Sequence, residues 1–220
     1  MSVLKFENIT KSYGNQLILK DLSIEIEQGT TLAIVGPSGS GKTTFLNIAG
    51  ALDVPDTGRL LFESKDLALL SENQRSEFRN KHVGFVFQQH YLLPQCTVLE
   101  NILLPTLSYQ SKHQRVDTLK RAHALLENVG MYQHKNKLPS QLSGGECQRT
   151  AFVRALINQP KVLLADEPTG SLDQENADIL SNELIRLNKE TGTTLIVVTH
   201  SVVLAQKMER ILTLKHHGLY

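Results

Sequence analysis

The chain has 220 residues, 40% apolar and 20% charged, with a formal net charge of +1. That is enough for one large domain or two small ones, and the near-neutral balance gives no electrostatic reason to expect nucleic-acid binding. Cys96 and Cys147 lack any metal-site spacing and read as reduced thiols. No run of about 18 apolar residues predicts a bilayer-spanning helix, and "MSVLKFENIT" lacks a charged-then-apolar leader. A membrane role would have to pass through a partner, without direct insertion.

From the N-terminus, "VLKFENIT" and "LILKDLSIEIE" alternate apolar and polar residues, which predicts antiparallel strands around a turn at Gly14-Asn15. Short β-rich apolar runs follow at 30–35, 82–87, 161–165 and 193–199, and suit a parallel sheet covered on both faces. "RILTLK" at 210–215 predicts an edge strand. Helical patterns lie between these runs. Residues 42–51 follow the first of them directly. The stretch 114–129 carries Val116, Leu119, Ala122, Leu125, Leu126 and Val129 at helical spacing ahead of Gly130. The stretch 174–190 puts Ala177, Leu180, Leu184 and Leu187 on one face and ends near Gly192. Segment 89–160 shows only helical patterns and is too long for a simple crossover. The expectation is one α/β domain over 1–220 with a mainly parallel sheet core, an N-terminal antiparallel β subdomain and a helical subdomain inserted at about 89–160.

Residues 36–44, "GPSGSGKTT", satisfy G-x-x-x-x-G-K-[ST] between a predicted strand and a predicted helix, the context such a loop requires. Gly36, Gly39 and Gly41, with Pro37, Ser38 and Ser40 between them, let the backbone curl so that N–H groups converge on phosphate oxygens. The helix starting near Lys42 adds its positive dipole end. Lys42 is expected to reach the β- and γ-phosphates, Thr43 to ligate Mg²⁺, and Thr44 to complete the nucleotide-binding run.

Ligands of open α/β sheets bind at the carboxyl ends of the strands. Asp166-Glu167 ends one predicted strand, Gln88 another and His200 a third. Phosphoryl transfer needs a metal-positioning carboxylate and a group that orients the attacking water. Asp166 is placed for the first, through water, and Glu167 for the second. Taken singly, His200 reads as a capping or core histidine and Gln88 as an ordinary loop amide. Together with a phosphate loop they point to one nucleotide site.

Ser143-Gly144-Gly145 opens a helical stretch, although glycine costs about 1 kcal/mol relative to alanine inside a helix. By the same physics this is a second anion site or, read alone, a tight turn. "LSGGE" followed by "QR", then "ALINQPKVLLADEPTGSLD", resembles the signature, second nucleotide motif and following loop of the ATP-binding-cassette ATPases, and the likeness covers essentially the whole chain. It implies an ATPase using ATP and Mg²⁺, with Gln88 and His200 beside Glu167 in catalysis and Gln88 also near the metal. Tyr13, otherwise a strand aromatic, matches the residue that stacks on adenine. The resemblance also implies a head-to-tail homodimer, in which Ser143, Gly144, Gly145 and Glu146 meet the partner's γ-phosphate. Cys147 stands where the family more often has Gln, Arg or Lys, and a thiol so near that interface is expected to be oxidation-sensitive.

"FQQHYLLPQCTVLENILLP" and "LAQKMERILTLKHHG" resemble a bacterial group of cassettes for lipoprotein release, macrolide efflux and cell division, and most of all the lipoprotein-releasing members. That implies a peripheral subunit at the cytoplasmic face of the inner membrane, bound to integral permease subunits. A soluble cassette acting on DNA or ribosomes would usually carry a coiled-coil insertion or a second cassette. Segment 89–105 is the expected permease contact, through Tyr91, Leu92, Leu93, Val98, Leu99 and Leu103. The alternative for Leu99 and Leu103 is packing within the helical insertion. The chain ends at Tyr220, so no attached regulatory domain is expected.

Overall fold

The alternation near the N-terminus produces a hairpin of β1 (Ser2–Tyr13) and β2 (Gln16–Glu27), with Tyr13 opposite Gln16 across the Gly14-Asn15 turn. The computed structural model describes residues 1–107 and 112–220. Next come β3 (Thr31–Val35), α1 (Lys42–Ala49), β4 (Thr57–Phe62), β5 (Lys65–Asp66), α2 (Glu72–His82) and β6 (Val83–Val86). They are followed by α3 (Val98–Leu103), α4 (Lys112–Asn128), α5 (Gly144–Leu156), β7 (Val162–Asp166) and α6 (Gln174–Thr191). The chain closes with β8 (Thr194–Val198), α7 (Val202–Gln206), β9 (Arg210–Lys215) and β10 (Gly218–Leu219).

Two sheets result. One is antiparallel, in the order β2-β1-β4-β5; the other runs β10-β9-β3-β8-β7-β6 and is parallel from β9 to β6. β9 is therefore an inner strand, and the two-residue β10 takes the edge expected of it. Pairing with β10 saturates backbone groups that an edge strand would leave open.

α1 is the keystone between the sheets. Phe45, Leu46, Ile48 and Ala49 are buried among side chains from both. Phe45 stacks on Phe6 of β1 with ring centroids 4.6 Å apart. Lys42 and Thr44 are buried as well, so α1 is enclosed on several sides although half of its residues are polar. A second core packs Phe152 of α5, Leu180 and Leu184 of α6 and Leu204 of α7 on the parallel sheet. A third, from Val98, Ile102, Ala122, Leu126 and Val153, holds α3, α4 and α5 together. Between β6 and β7 the described residues form only helices and turns, as the sequence pattern indicated. The helical spacing of 114–129 is only half used: Ala122 and Leu126 are buried, but Val116 and Leu119 are exposed.

Candidate functional site

β3, β8, β7 and β6 are neighbours, all parallel, so the segments leaving them emerge along one edge of the sheet. The phosphate loop leaves β3, His200 lies two residues past β8, Asp166 ends β7, and Gln88 lies two residues past β6. Four motifs far apart in sequence thus share one rim.

The loop enters α1 through Gly41, whose φ of 101° is left-handed backbone that a side chain disfavours. Lys42 is only 7% exposed, and its Nζ donates to the carbonyls of Gly36 at 2.9 Å and Pro37 at 3.0 Å. The cation is held inside the curl that its loop makes. Thr43 Oγ1 donates to Asp166 Oδ2 at 2.9 Å, which joins the start of α1 to the end of β7. Burial raises the pKa of the Asp166 carboxyl, and the Thr43 bond works against that. A hydroxyl and a partly desolvated carboxylate are hard oxygen ligands, and such a pair fits Mg²⁺.

Glu167 has a left-handed φ of 46°, unusual for a non-glycine residue. Its N–H donates to Val198 O at 2.9 Å, and its carbonyl accepts from Gly170 N–H at 3.0 Å. The fixed backbone aims the carboxylate across to the end of β8. There Oε2 accepts from His200 N–H at 3.1 Å and Thr199 Oγ1 at 3.3 Å. Oε1 is buried and accepts no hydrogen bond, although His200 Nε2 stands 3.4 Å away. An unsatisfied buried carboxylate oxygen is costly and marks a place where a ligand atom is expected. His200 is exposed and is neither a core residue nor a cap. Gln88 is exposed too, and Ser171 Oγ donates to its carbonyl at 3.4 Å.

The glycine pair divides by role. Ser143 caps α5 in a reciprocal box: its hydroxyl accepts from Glu146 N–H at 3.3 Å, and Glu146 Oε2 accepts from Ser143 N–H at 2.6 Å. A Cβ on Gly145 would collide with the Asn176 carboxamide of α6. One on Gly144 would meet nothing within 4 Å. Gly145 is thus a packing requirement, whereas nothing within the chain asks for Gly144. From sequence the two glycines are indistinguishable, because Asn176 lies on another helix.

Other contacts were also missed. From α5, Gln148 Nε2 donates to Phe87 O at 2.8 Å, and the Arg154 guanidinium donates to His90 O and Tyr91 O, both at 2.7 Å. The backbone on both sides of Gln88 is therefore bolted to the helix that Ser143 caps. Arg149 donates to Asn176 Oδ1 at 2.8 Å, and Asn176 in turn donates to Asp173, the N-cap of α6. The "QR" after the signature was the available signal, but polar residues on a helix read from sequence as a solvated face.

Two expectations need correction. Leu92 does not face outward: it is 8% exposed and packs against Cys147 and Ala151, whereas Tyr91 and Leu93 are exposed. Val98, Leu99 and Leu103 belong to the helical core. Cys147 is buried, its Sγ 3.7 Å from Pro139 O, and burial raises its pKa, so it lacks the exposed thiolate that oxidation needs. Beside Tyr91 opens a cleft of about 370 Å³ lined by Leu52, Arg79, Phe85, Phe87, Pro105 and Arg154. Most of these lie outside the segment the sequence singled out.

A phosphate loop on β3, a carboxylate pair at the end of β7 two strands away and a helical insertion whose α5 is capped by Ser143 define a P-loop ATPase of the cassette type. Residues 19–170 match the family model described as ABC transporter. The lipoprotein-releasing system ATP-binding protein LolD of Bacteroides fragilis is 45% identical over 208 residues, 94% of this chain and 95% of that protein. The LolD protein of Syntrophus aciditrophicus is 45% identical over 217 residues, 97% of this chain and 96% of its own. A dimeric bacterial ABC transporter cassette superposes with a TM-score of 0.88 at 40% identity, covering 98% of this chain and 96% of its own. The chain belongs to the ABC transporter family. It is an ATP-binding and ATP-hydrolysing cassette closely related to LolD-type lipoprotein-releasing subunits. Use of ATP with Mg²⁺ follows from the family, and no helix among the described residues is long and apolar enough to cross a membrane.

Proposed function

We propose that the chain is the ATPase subunit of a lipoprotein-releasing complex, bound to a permease at the cytoplasmic face of a bacterial inner membrane. Its 45% identity to LolD proteins over nearly the full length of both chains supports the substrate class. Two copies close head to tail on two ATP molecules, and closure drives the permease.

In this reading the backbone N–H groups of residues 36–44 cradle the phosphates. Lys42 exchanges its bonds to the Gly36 and Pro37 carbonyls for bonds to the β- and γ-phosphate oxygens, which are stronger acceptors. Thr43, Asp166 through water, and Gln88 would hold Mg²⁺, which would supply positive charge to offset that of the phosphates. Glu167 accepts the proton of the attacking water; its unpartnered buried Oε1 is the observation that carries this role. His200, 3.4 Å from that oxygen, steadies the carboxylate and the γ-phosphoryl group as it passes from ADP to water. Tyr13 gives the adenine a stacking face. The partner's Gly144 approaches the γ-phosphate where no Cβ stands in the way.

Tyr91, Leu93 and the cleft bounded by Phe85 and Phe87 offer the permease an apolar seat. The reading is tested in the host cell by expressing Glu167→Gln alongside the natural chain. Lipoproteins should accumulate in the inner membrane. Normal lipoprotein sorting beside a demonstrably inactive ATPase would assign the chain to another cargo.

A further inference from the structure

Next to Tyr13 lies a charge cluster that the roles above leave unused. Tyr13 Oη donates to Asp53 Oδ2 at 2.6 Å. The other oxygen of Asp53 accepts from Lys11 Nζ at 2.9 Å and from the Val54 N–H at 2.7 Å. Lys11 is 7% exposed and donates again to Val54 O at 2.8 Å. Its ammonium sits 5.2 Å from the centroid of the Tyr13 ring, within cation–π range. Burial opposes the charge on Asp53, but the bonds from Lys11 and Tyr13 outweigh it and hold the carboxyl below the usual carboxylate range.

The cluster ties together the two ends of a nucleotide site. Tyr13 ends β1, is 48% exposed and precedes a Gly14-Asn15 turn, so without a tether its ring would be free to sample rotamers. Asp53 is seated on the far end of the phosphate-loop helix: its N–H, like that of Leu52, donates to Asn47 O. A bond of 2.6 Å to a charged acceptor is of the strong class. The ring is thereby referenced to α1, whose other end is Lys42.

We propose that Asp53, backed by Lys11, is a positioning residue for the nucleotide base: it fixes the Tyr13 ring at a set offset from the phosphate loop. The proposal rests on the reading of Tyr13 as the stacking face. The tether orders the ring before ligand arrives, so binding does not have to freeze it. The ligand it suits is a nucleoside triphosphate held at both ends at once.

The test compares MgATP with magnesium tripolyphosphate, which has phosphates but no base, in direct titrations of the full chain. Tyr13→Phe keeps the ring and removes the hydroxyl that makes the tether; Asp53→Ala removes its anchor. Each is expected to weaken MgATP about three- to tenfold, in line with releasing one immobilised side chain. The double variant should lose no more than either single one, as for two partners in one interaction. Tripolyphosphate affinity should not change. Tyr13→Ala should weaken MgATP further than Tyr13→Phe.

Wild-type MgATP affinity in Tyr13→Phe, with loss in Tyr13→Ala, would overturn the tether and leave the stacking role intact. Wild-type affinity in Tyr13→Ala would instead remove the stacking role. Equal loss of tripolyphosphate binding in Asp53→Ala would assign Asp53 to the fold of α1. Should Asp53→Ala fail to fold, Tyr13→Phe alone decides, because an exposed ring that loses one hydroxyl leaves the core untouched.

Discussion

Gly145 and Asn176 touch so closely that no side chain fits between the start of α5 and the first turn of α6. Asn176 is held there by Arg149 and Asp173, so it cannot easily yield. Gly145→Ala is therefore expected to destabilise the fold by about 1–3 kcal/mol, as for other overpacked sites. Gly144→Ala should leave the melting temperature unchanged or raise it slightly, since alanine is the better helix former by up to about 1 kcal/mol. Yet Gly144→Ala should lose ATPase activity. Thermal melts and turnover assays on both variants check this. Full activity in Gly144→Ala would leave the second glycine without a ligand to explain it.

Glu167→Gln keeps the bonds from His200 N–H and Thr199 Oγ1 to a carbonyl oxygen, but replaces the unpartnered oxygen with a donor. Turnover should fall about 10²–10⁴-fold, as for loss of a general base, with ATP binding retained. A stable ATP-bound dimer should appear in size-exclusion chromatography. Near-normal turnover would transfer the role to His200.

Lys42→Ala removes a buried cation whose hydrogen bonds among the described residues go to the Gly36 and Pro37 carbonyls, in a loop where Gly36 is half-buried and Pro37 exposed, so no apolar packing is lost with it. The fold should persist while ATP affinity collapses. Calorimetric titration beside a circular-dichroism melt separates the two effects.

What the sequence disclosed and what it hid have physical reasons. Strands β3, β7 and β8 were legible because strands buried on both faces need unbroken apolar runs, and the phosphate loop because its spacing admits few other uses. β4, β5 and α2 went unread. Only Phe78 of α2 is buried, so it has no apolar stripe to detect. Its signal was instead the box formed by Ser71 and Gln74, which exchange bonds at the helix start. The strand-end residues Gln88, Asp166, Glu167 and His200 could be located in advance, because a parallel sheet brings strand ends to one rim. The Asp53 tether and the bolts from Gln148 and Arg154 could not. Each joins residues more than 39 positions apart through a side chain whose type is common on surfaces.

Leu93 is exposed, but its backbone is pinned at both ends: its N–H donates to Asn101 Oδ1 at 2.7 Å, and its carbonyl accepts from Asn101 Nδ2 at 3.1 Å. Asn101 is fully buried, and Arg154 fastens the two residues before Leu92. A new side chain at position 93 therefore meets solvent without disturbing the loop. Leu93→Glu should leave the melting temperature and the ATPase activity of the isolated chain near wild type. In cells it should abolish co-purification with the permease, because a carboxylate would have to be desolvated in an apolar seat. Arg154→Met is the companion variant. It keeps the stem packed but frees His90 O and Tyr91 O, so the loop stays exposed and is held to α5 only by the Gln148 bond to Phe87 O and the packing of Leu92. It should still co-purify with the permease while losing the coupling between ATP hydrolysis and transport. If Leu93→Glu folds and still binds the permease, the contact lies elsewhere, with the cleft by Phe85 and Phe87 the next place to substitute. If Arg154→Met transports normally, the bolt between α5 and the loop carries no force.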